Sequence, residues 1–376
     1  MRKVLHISNY YYPHIGGIES TCQYLAEGAT DFDVRVICFS EDKHDKKEQI
    51  NGIWVYKAGV CMDIARQSLS FSYLSRLRQV FHEWEPDIVH FHYPNPFVAF
   101  LLLLLNMPKE TKLYLHWHLD ITKQKSIYPF IKPIETWLLR RADVIAVTSP
   151  NYRDSSEPLK GFMQKVKILP SAIDLRKYVL TADAETEVVK KIKQDAGGKK
   201  IVYYAGRHVL HKGVKVLIEA EHFIKNDCIV YIAGEGPITK EAKELCKSDR
   251  VRFLGRLKDE EMKLYYHAAD IFVFPSYTKA EAFGLTLAEA MFCHTPAVTF
   301  TIAGSGVNWV SLNGATGIEV PNLDVKAYAA AIDVLLEDDI LRKKYADNAR
   351  QRVIDNFTID KEVATLVAHY SEILKV

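Results

Sequence analysis

Apolar residues fall along the first half of the chain in short runs, with stretches of helical spacing between most of them. Lys3–Ser8, Asp33–Phe39, Asp87–His92, Lys112–His118, Asp143–Thr148 and Lys165–Leu169 predict strands, with a possible short one at Ile53–Tyr56. Ile18–Ala29 and Pro133–Arg141 carry the helical pattern. Strands alternating with helices predict a parallel sheet covered on both faces. The pattern lapses at Tyr178–Lys199, a polar stretch rich in Glu, Lys and Asp that reads as a helix following an interdomain connection. A second alternating series follows, with strands predicted at Lys200–Tyr204, Cys228–Ala233, Val251–Leu254, Ile271–Phe274, Ala297–Thr299 and Gly317–Val320. The closing stretch Asp338–Val376 reads as helical, with a break near Asn356–Asp360. The predicted fold class is α/β: two successive doubly wound, Rossmann-like parallel-sheet domains, residues 1–175 and 176–359, changing over near Ser171–Asp183. In doubly wound sheets ligands sit outside the carboxyl ends of the strands. The expected site is therefore the cleft between two such domains, and the loops just after strands are the places to look.

Composition narrows the partners. The chain has 376 residues, 48% of them hydrophobic, as in an ordinary globular protein. Its 49 Lys and Arg against 47 Asp and Glu leave a net charge of +2. That near-neutral balance gives no sign of a dedicated nucleic-acid binder, and none is expected as a partner. The six cysteines are scattered without a CxxC pair, as in reduced thiols of a cytoplasmic protein. The N-terminal apolar run ends at Ile7, too short for a secretory signal. Phe97–Leu105 is the most apolar stretch. It falls well short of the roughly 20 residues a spanning helix needs, so a buried core helix is expected.

Several loops carry candidate chemistry. After the first strand, Gly16-Gly17 precedes a helix, where backbone amides can approach an anion. The dinucleotide fingerprint G-x-G-x-x-G is absent. In the second series, Gly206-Arg207 and Lys212-Gly213 place two cations around a loop at a strand end. A diphosphate suits them, with Arg as a bidentate fork and Lys as a point charge. Gly234-Glu-Gly236 reads as a turn after a strand, and the backbone of Gly255-Arg256-Leu257 could face a planar base. Glu281 lies in a loop and Glu289 in the following helix; Thr286-Leu-Ala-Glu289 also fits a capping box. In the first domain His90 and His92 share one face at a strand end, and His116 and His118 end another. Four such imidazoles could hold zinc; hydrogen bonding to a substrate, or packing in the core, is the reading adopted. Asp31-Phe-Asp33 precedes a strand and reads as a turn.

Together, Gly16-Gly17, His118, Gly206-Arg207, Lys212-Gly213, Gly234-Glu-Gly236 and above all Glu281-x7-Glu289 resemble the retaining GT-B glycosyltransferases of family 4. The likeness covers nearly the whole chain, including Ala268–Ser276 and Ala349–Val376. It implies GT-B architecture, with the last helix, about 360–376, crossing back onto the first domain. By that resemblance Arg207 and Lys212 hold the sugar-nucleotide diphosphate, Glu289 binds the ribose, and Glu281 binds donor-sugar hydroxyls. The amides of Phe283, Gly284 and Leu285 contact the sugar and phosphate. His118 reaches the transferred sugar, Gly16 and Gly17 admit the diphosphate or acceptor, and Arg256 and Leu257 lie against the base. Tyr10, His116, Asp120 and Lys123 are acceptor-side candidates. The expected donor is GDP-mannose or a UDP-hexose, with no metal and no cofactor. The expected acceptor is a saccharide or a polyprenyl-linked saccharide of bacterial surface polysaccharide. Lys123, Lys125, Lys132, Arg140 and Arg141 would support peripheral contact with the cytoplasmic face of the inner membrane. A catalytically silent sugar-nucleotide binder or scaffold, or another GT-B enzyme such as a nucleotide-sugar epimerase, is the alternative.

Overall fold

The computed structural model describes residues 1–14, 16–64, 67–121 and 128–375. The chain forms two compact units: Met1–Ala172 together with Ile359–Val376, and Ile173–Thr358. The first unit contains β1 (Arg2–Ile7), β2 (Phe32–Phe39), β3 (Lys46–Ile50), β4 (Ile53–Ala58), β5 (Met62–Ile64), β6 (Gln67–Leu69), β7 (Ile88–Tyr93), β8 (Lys112–Trp117), β9 (Val144–Val147) and β10 (Val166–Ile168). Eight of these form one sheet in the order β10-β9-β8-β7-β1-β2-β4-β3. It is parallel except for β3, which runs antiparallel to β4 through the Asn51-Gly52 turn. Both turn residues have positive φ, 49° and 87°, which suits a two-residue hairpin. β5 and β6 form a separate hairpin.

The second unit contains β11 (Lys200–Ala205), β12 (Cys228–Ala233), β13 (Val251–Gly255), β14 (Ile271–Phe274), β15 (Ala297–Phe300) and β16 (Gly317–Val320). They form one parallel sheet in the order β13-β12-β11-β14-β15-β16. The central strands are buried throughout, as in Cys228–Ala233. That is why they appear in the sequence as unbroken apolar runs rather than alternating patterns. The order reverses between β11 and β14, the place where a doubly wound sheet opens its ligand crevice.

The last helix, Ile359–Ile373, belongs to the first unit. It packs against the helix Gly17–Gly28, where a Cβ on Gly28 would lie 3.3 Å from Val363 Cγ1 and closer still to Cγ2. Tyr370 meets Phe32 edge-on at 5.2 Å. The apolar run corresponds to the helix Pro96–Leu105, capped by the Asn95 side chain. Its burial is one-sided: Val98, Ala99, Leu101 and Leu102 are buried, whereas Phe100, Leu103 and Leu104 are exposed. The expected core helix is thus a helix on the sheet's face, which needs only one side covered. Among the described residues no helix is long and apolar enough to cross a membrane. All six cysteines are free, and Cys61 is exposed.

Glu362 on the last helix is buried, and burial raises its carboxyl pKa well above the ordinary 4.5, offset only by the Ala172 amide. The folded state therefore keeps this proton to a higher pH than the unfolded chain does. The stability tied to it is fully present below pH 4.5 and is lost as pH rises through the folded value. Glu362→Gln should remove that loss. A poorly satisfied buried polar group costs about 1–3 kcal/mol, and each kcal/mol moves Tm by roughly 2–4 °C at this domain size. The variant is expected to melt several degrees above the parent at pH 8 and to converge with it near pH 4.5, as followed by thermal unfolding across that range.

Candidate active site

The second unit gathers its candidates at the carboxyl ends of β11, β12 and β14. After β11 the chain passes Gly206 and Arg207, turns at Leu210–Lys212, and enters the helix Val214–Glu221 through Gly213 at φ 72°. A side chain on Gly213 would collide with the Pro275 carbonyl, which follows β14. Glycine therefore allows the β11 loop to lie directly against the β14 loop. This approach brings Lys212 Nζ onto the Glu281 carboxylate, with side chains 23% and 12% exposed. Ser276 Oγ donates to the same carboxylate at 3.2 Å. Arg207 is exposed on the same loop and has no acidic partner among the described residues.

Gly234-Glu-Gly236 is a packing turn. Cβ atoms at Gly234 (φ 116°) and Gly236 would run into the carbonyls of Gly206 and His208. His208 N–H donates to the Glu235 carbonyl at 3.0 Å, and Gly234 N–H to the Gly255 carbonyl at 2.7 Å. The glycines thus dock the β11, β12 and β13 loops side by side. Arg256 is exposed and Leu257 half-buried just beyond β13.

The segment after β14 turns into the helix Leu285–Phe292 through Gly284 at φ 93°, with no side-chain cap. The Thr286–Glu289 capping box does not form. The helix starts earlier, at the positive-φ glycine, which puts Glu289 too deep in the helix to cap it. Phe283 is buried against Phe357 and Trp309, so only its backbone can face a ligand. The amides of Phe283, Gly284, Leu285 and Thr286 donate to no acceptor among the described residues, as is usual for a first helical turn. Glu289 accepts from Tyr266 Oη at 2.9 Å. Burial raises its pKa, offset by hydrogen bonds from Tyr178 and Tyr266.

A cation–carboxylate pair, a free guanidinium and an open helix start at one sheet end suit a phosphate-bearing sugar. Comparison with known proteins gives the family. Residues 185–352 match the model for glycosyl transferases group 1, and residues 15–177 match that for glycosyltransferase family 4. The chain belongs to the family 4 glycosyltransferases. It is 27% identical to the O-antigen chain mannosyltransferase C of Escherichia coli, over 99% of each chain. It is 28% identical to the D-rhamnosyltransferase WbpZ of Pseudomonas aeruginosa, over 95% of this chain and 92% of that one. In fold it resembles Anabaena Alr3699/HepE, solved in complex with UDP and glucose (TM-score 0.77, 19% identity, 99% of this chain and 100% of that one). The architecture is GT-B.

In the first unit of this glycosyltransferase, Gly16 is extended and Gly17 opens the helix Gly17–Gly28. Glu19 folds back onto its own amide there, and its pKa is raised by burial. A side chain on Gly16 would strike that carboxylate, so an anion at this helix start competes with Glu19. Tyr10 Oη bonds Ser68 Oγ at 2.7 Å, and its ring stacks on His14. His118 is 6% exposed and bonds His92.

Two acceptor-side assignments and one membrane-side assignment change. His116 is fully buried, because its strand lies inside the sheet, and offers no surface to an acceptor. Asp120 is buried too; its carboxylate accepts from Trp117 Nε1 at 2.9 Å and Ser156 Oγ at 2.7 Å. It ties down the loop after β8. Arg141 is committed to Asp143 and to the carbonyls of Pro108 and Thr111, so it is no free basic surface. Lys123 and Lys125 lie outside the described residues.

Sequence reading missed Ser276, Tyr178 and Tyr266. Ser276 lies two residues beyond a predicted strand, a position that could have flagged it. Tyr266 reaches Glu289 from 23 residues away, and no local pattern announces such a contact.

Proposed function

We propose that this glycosyltransferase is a retaining, metal-independent hexosyltransferase. Its donor is GDP-mannose or a UDP-hexose, and its acceptor is a saccharide or polyprenyl-linked saccharide in bacterial surface-polysaccharide assembly. One observation carries the reading: Lys212, Glu281 and the open helix start after Gly284 share one end of the second sheet. The mannosyl and rhamnosyl relatives favour a hexose, and the UDP-bound structural neighbour favours a nucleoside-diphosphate donor.

In this reading the bond between the anomeric carbon and the phosphate oxygen breaks, and its electron pair leaves with the diphosphate. Arg207, Lys212 and the amides of Phe283, Gly284 and Leu285 stabilise that departing anion, so no metal is required. The acceptor oxygen attacks the anomeric carbon on the face the phosphate leaves, and its proton passes to the leaving phosphate oxygen. Glu281 orients donor-sugar hydroxyls. Glu289, held between Tyr178 and Tyr266, accepts from the ribose, and Arg256 and Leu257 flank the base. Gly16 and Gly17 admit the phosphate, Tyr10 faces the acceptor, and His118 meets the transferred sugar. The protein works in the cytoplasm, against the inner membrane. Phe130, 79% exposed, and the exposed Lys132 and Arg140 are the groups that support this contact.

Two readouts check the chemistry. The glycoside formed should keep the donor's anomeric configuration, read by NMR coupling at the anomeric proton. Turnover should survive EDTA. An inverted product, or activity restored only by a divalent cation, overturns the mechanism.

A further inference from the structure

Five imidazoles and one phenol form a continuous hydrogen-bonded array inside the first unit. β8, β7 and β1 are neighbours, and their register places His116 opposite His92, and His90 opposite His6. The last helix adds Tyr370. From the outer end, His118 Nε2 meets His92 Nδ1 at 3.0 Å, and His92 Nε2 meets His6 Nδ1 at 3.1 Å. His6 Nε2 meets Tyr370 Oη at 3.2 Å, and Tyr370 Oη meets His90 Nδ1 at 2.5 Å. His90 Nε2 then meets His116 Nδ1 at 3.2 Å, and His116 Nε2 ends the array without a partner.

The imidazoles are neutral. Burial pushes His6 and His118 down to about 3. His90, His92 and His116 lie well below the ordinary value through burial first and one another's charge second. A neutral imidazole donates at one nitrogen and accepts at the other, so one fixed proton sets the direction of the whole array. Tyr370 has one proton and two neighbours. Hydroxyl donors make the shorter bonds and N–H donors the longer ones. The Tyr370 proton therefore points to His90 at 2.5 Å, and His6 donates from Nε2 at 3.2 Å. Cys22 Sγ lies 3.9 Å from His6 Nδ1, and either atom can be the donor there. His6 and His92 then donate from Nε2 and accept at Nδ1, and His118 donates its Nε2 proton inward.

We propose that His92, His6 and Tyr370 are positioning residues that hold His118 as the Nε2–H tautomer, presenting its Nδ1 as a lone pair that accepts a proton from a ligand hydroxyl. The ligand class, a sugar hydroxyl, rests on the glycosyltransferase reading; the array does not. The arrangement also gives the last helix a chemical task, because Tyr370 supplies the proton that orients the array. Ring nitrogens of His90, His92 and His116 lie within 4.8 Å of one another, as do those of His6 and His92 with the Cys22 thiol, so a metal ion is the competing occupant that the test below distinguishes.

The test is nitrogen-15 NMR of histidine-labelled, ligand-free protein, with signals assigned by single histidine substitutions. The wild type should show His118 with a protonated Nε2 and an unprotonated Nδ1. Tyr370→Phe, which keeps the ring, should melt near the wild type and give His118 a mixture of both tautomers. A wild-type His118 protonated at Nδ1 overturns the proposal, as does a His118 signal unchanged in folded Tyr370→Phe. A stoichiometric divalent metal retained by the purified protein also overturns it. If Tyr370→Phe does not fold, the wild-type spectrum still decides the direction, and His92→Gln cuts the array one link from His118. A failure to bind any nucleotide would count against the glycosyltransferase reading and leave this spectrum untouched.

Discussion

Lys212→Ala is expected to keep its fold and to lose about 10²–10³-fold in turnover, the usual loss when one preorganised donor to a developing anion is removed. Lys212 is the cation nearest Glu281, and both side chains are mostly buried, at 23% and 12% exposure. With the ammonium gone, the Glu281 carboxylate keeps, among the described residues, only the Ser276 hydroxyl at 3.2 Å. The site then changes from a balanced pair to a net negative charge beside the incoming diphosphate. Both effects fall on the leaving group, so kcat should drop more than the donor KM rises. Steady-state kinetics at saturating acceptor, with a melting curve as the folding control, checks this. A turnover within threefold of the parent would remove Lys212 from the chemistry.

Gly234→Ala is expected to damage the whole donor domain. Its φ of 116° is one an L side chain rarely adopts, and the new Cβ would overlap the Gly206 carbonyl. Positive φ alone costs about 1–2 kcal/mol. The collision adds to it, because the atom struck is backbone and cannot swing away. Gly198→Ala separates the two causes: Gly198 has φ 74° but open space around it. The expected order of Tm is parent, then Gly198→Ala slightly lower, then Gly234→Ala several degrees lower with nucleotide binding lost. Equal losses in the two variants would show that loop docking at Gly234 carries no weight.

Much of this was legible in the chain because buried parallel strands write themselves as apolar runs. β12 and β14 have the predicted bounds, Cys228–Ala233 and Ile271–Phe274. β3 was missed because Lys-Lys-Glu-Gln-Ile is an exposed edge strand with no apolar signature; the Asn51-Gly52 turn was the signal to follow. At the site, the positions of Lys212 and Glu281 after strands were readable, but their pairing spans 69 residues. It depends on Gly213 meeting Pro275, a close approach that only the fold reveals. The capping-box reading failed for a related reason: a local motif was outweighed by a glycine that starts the helix sooner. The histidines on β7 and β8 were visible as two period-2 pairs. His6 and Tyr370, 364 residues apart, become partners only once β1 lies beside β7 and the last helix returns to the first domain.

The central claim is that the loop ends of the second sheet bind a nucleoside diphosphate. Thermal unfolding with UDP, GDP, UDP-glucose and GDP-mannose, on the parent, Arg207→Ala and Glu289→Ala, tests it most directly. A ligand at 100 times its Kd adds about 2.7 kcal/mol to the folded state. The parent should be stabilised by the nucleotides of one base, and both variants should lose that shift. No shift with any nucleotide, or the same shift in all three proteins, would contradict the donor site described above.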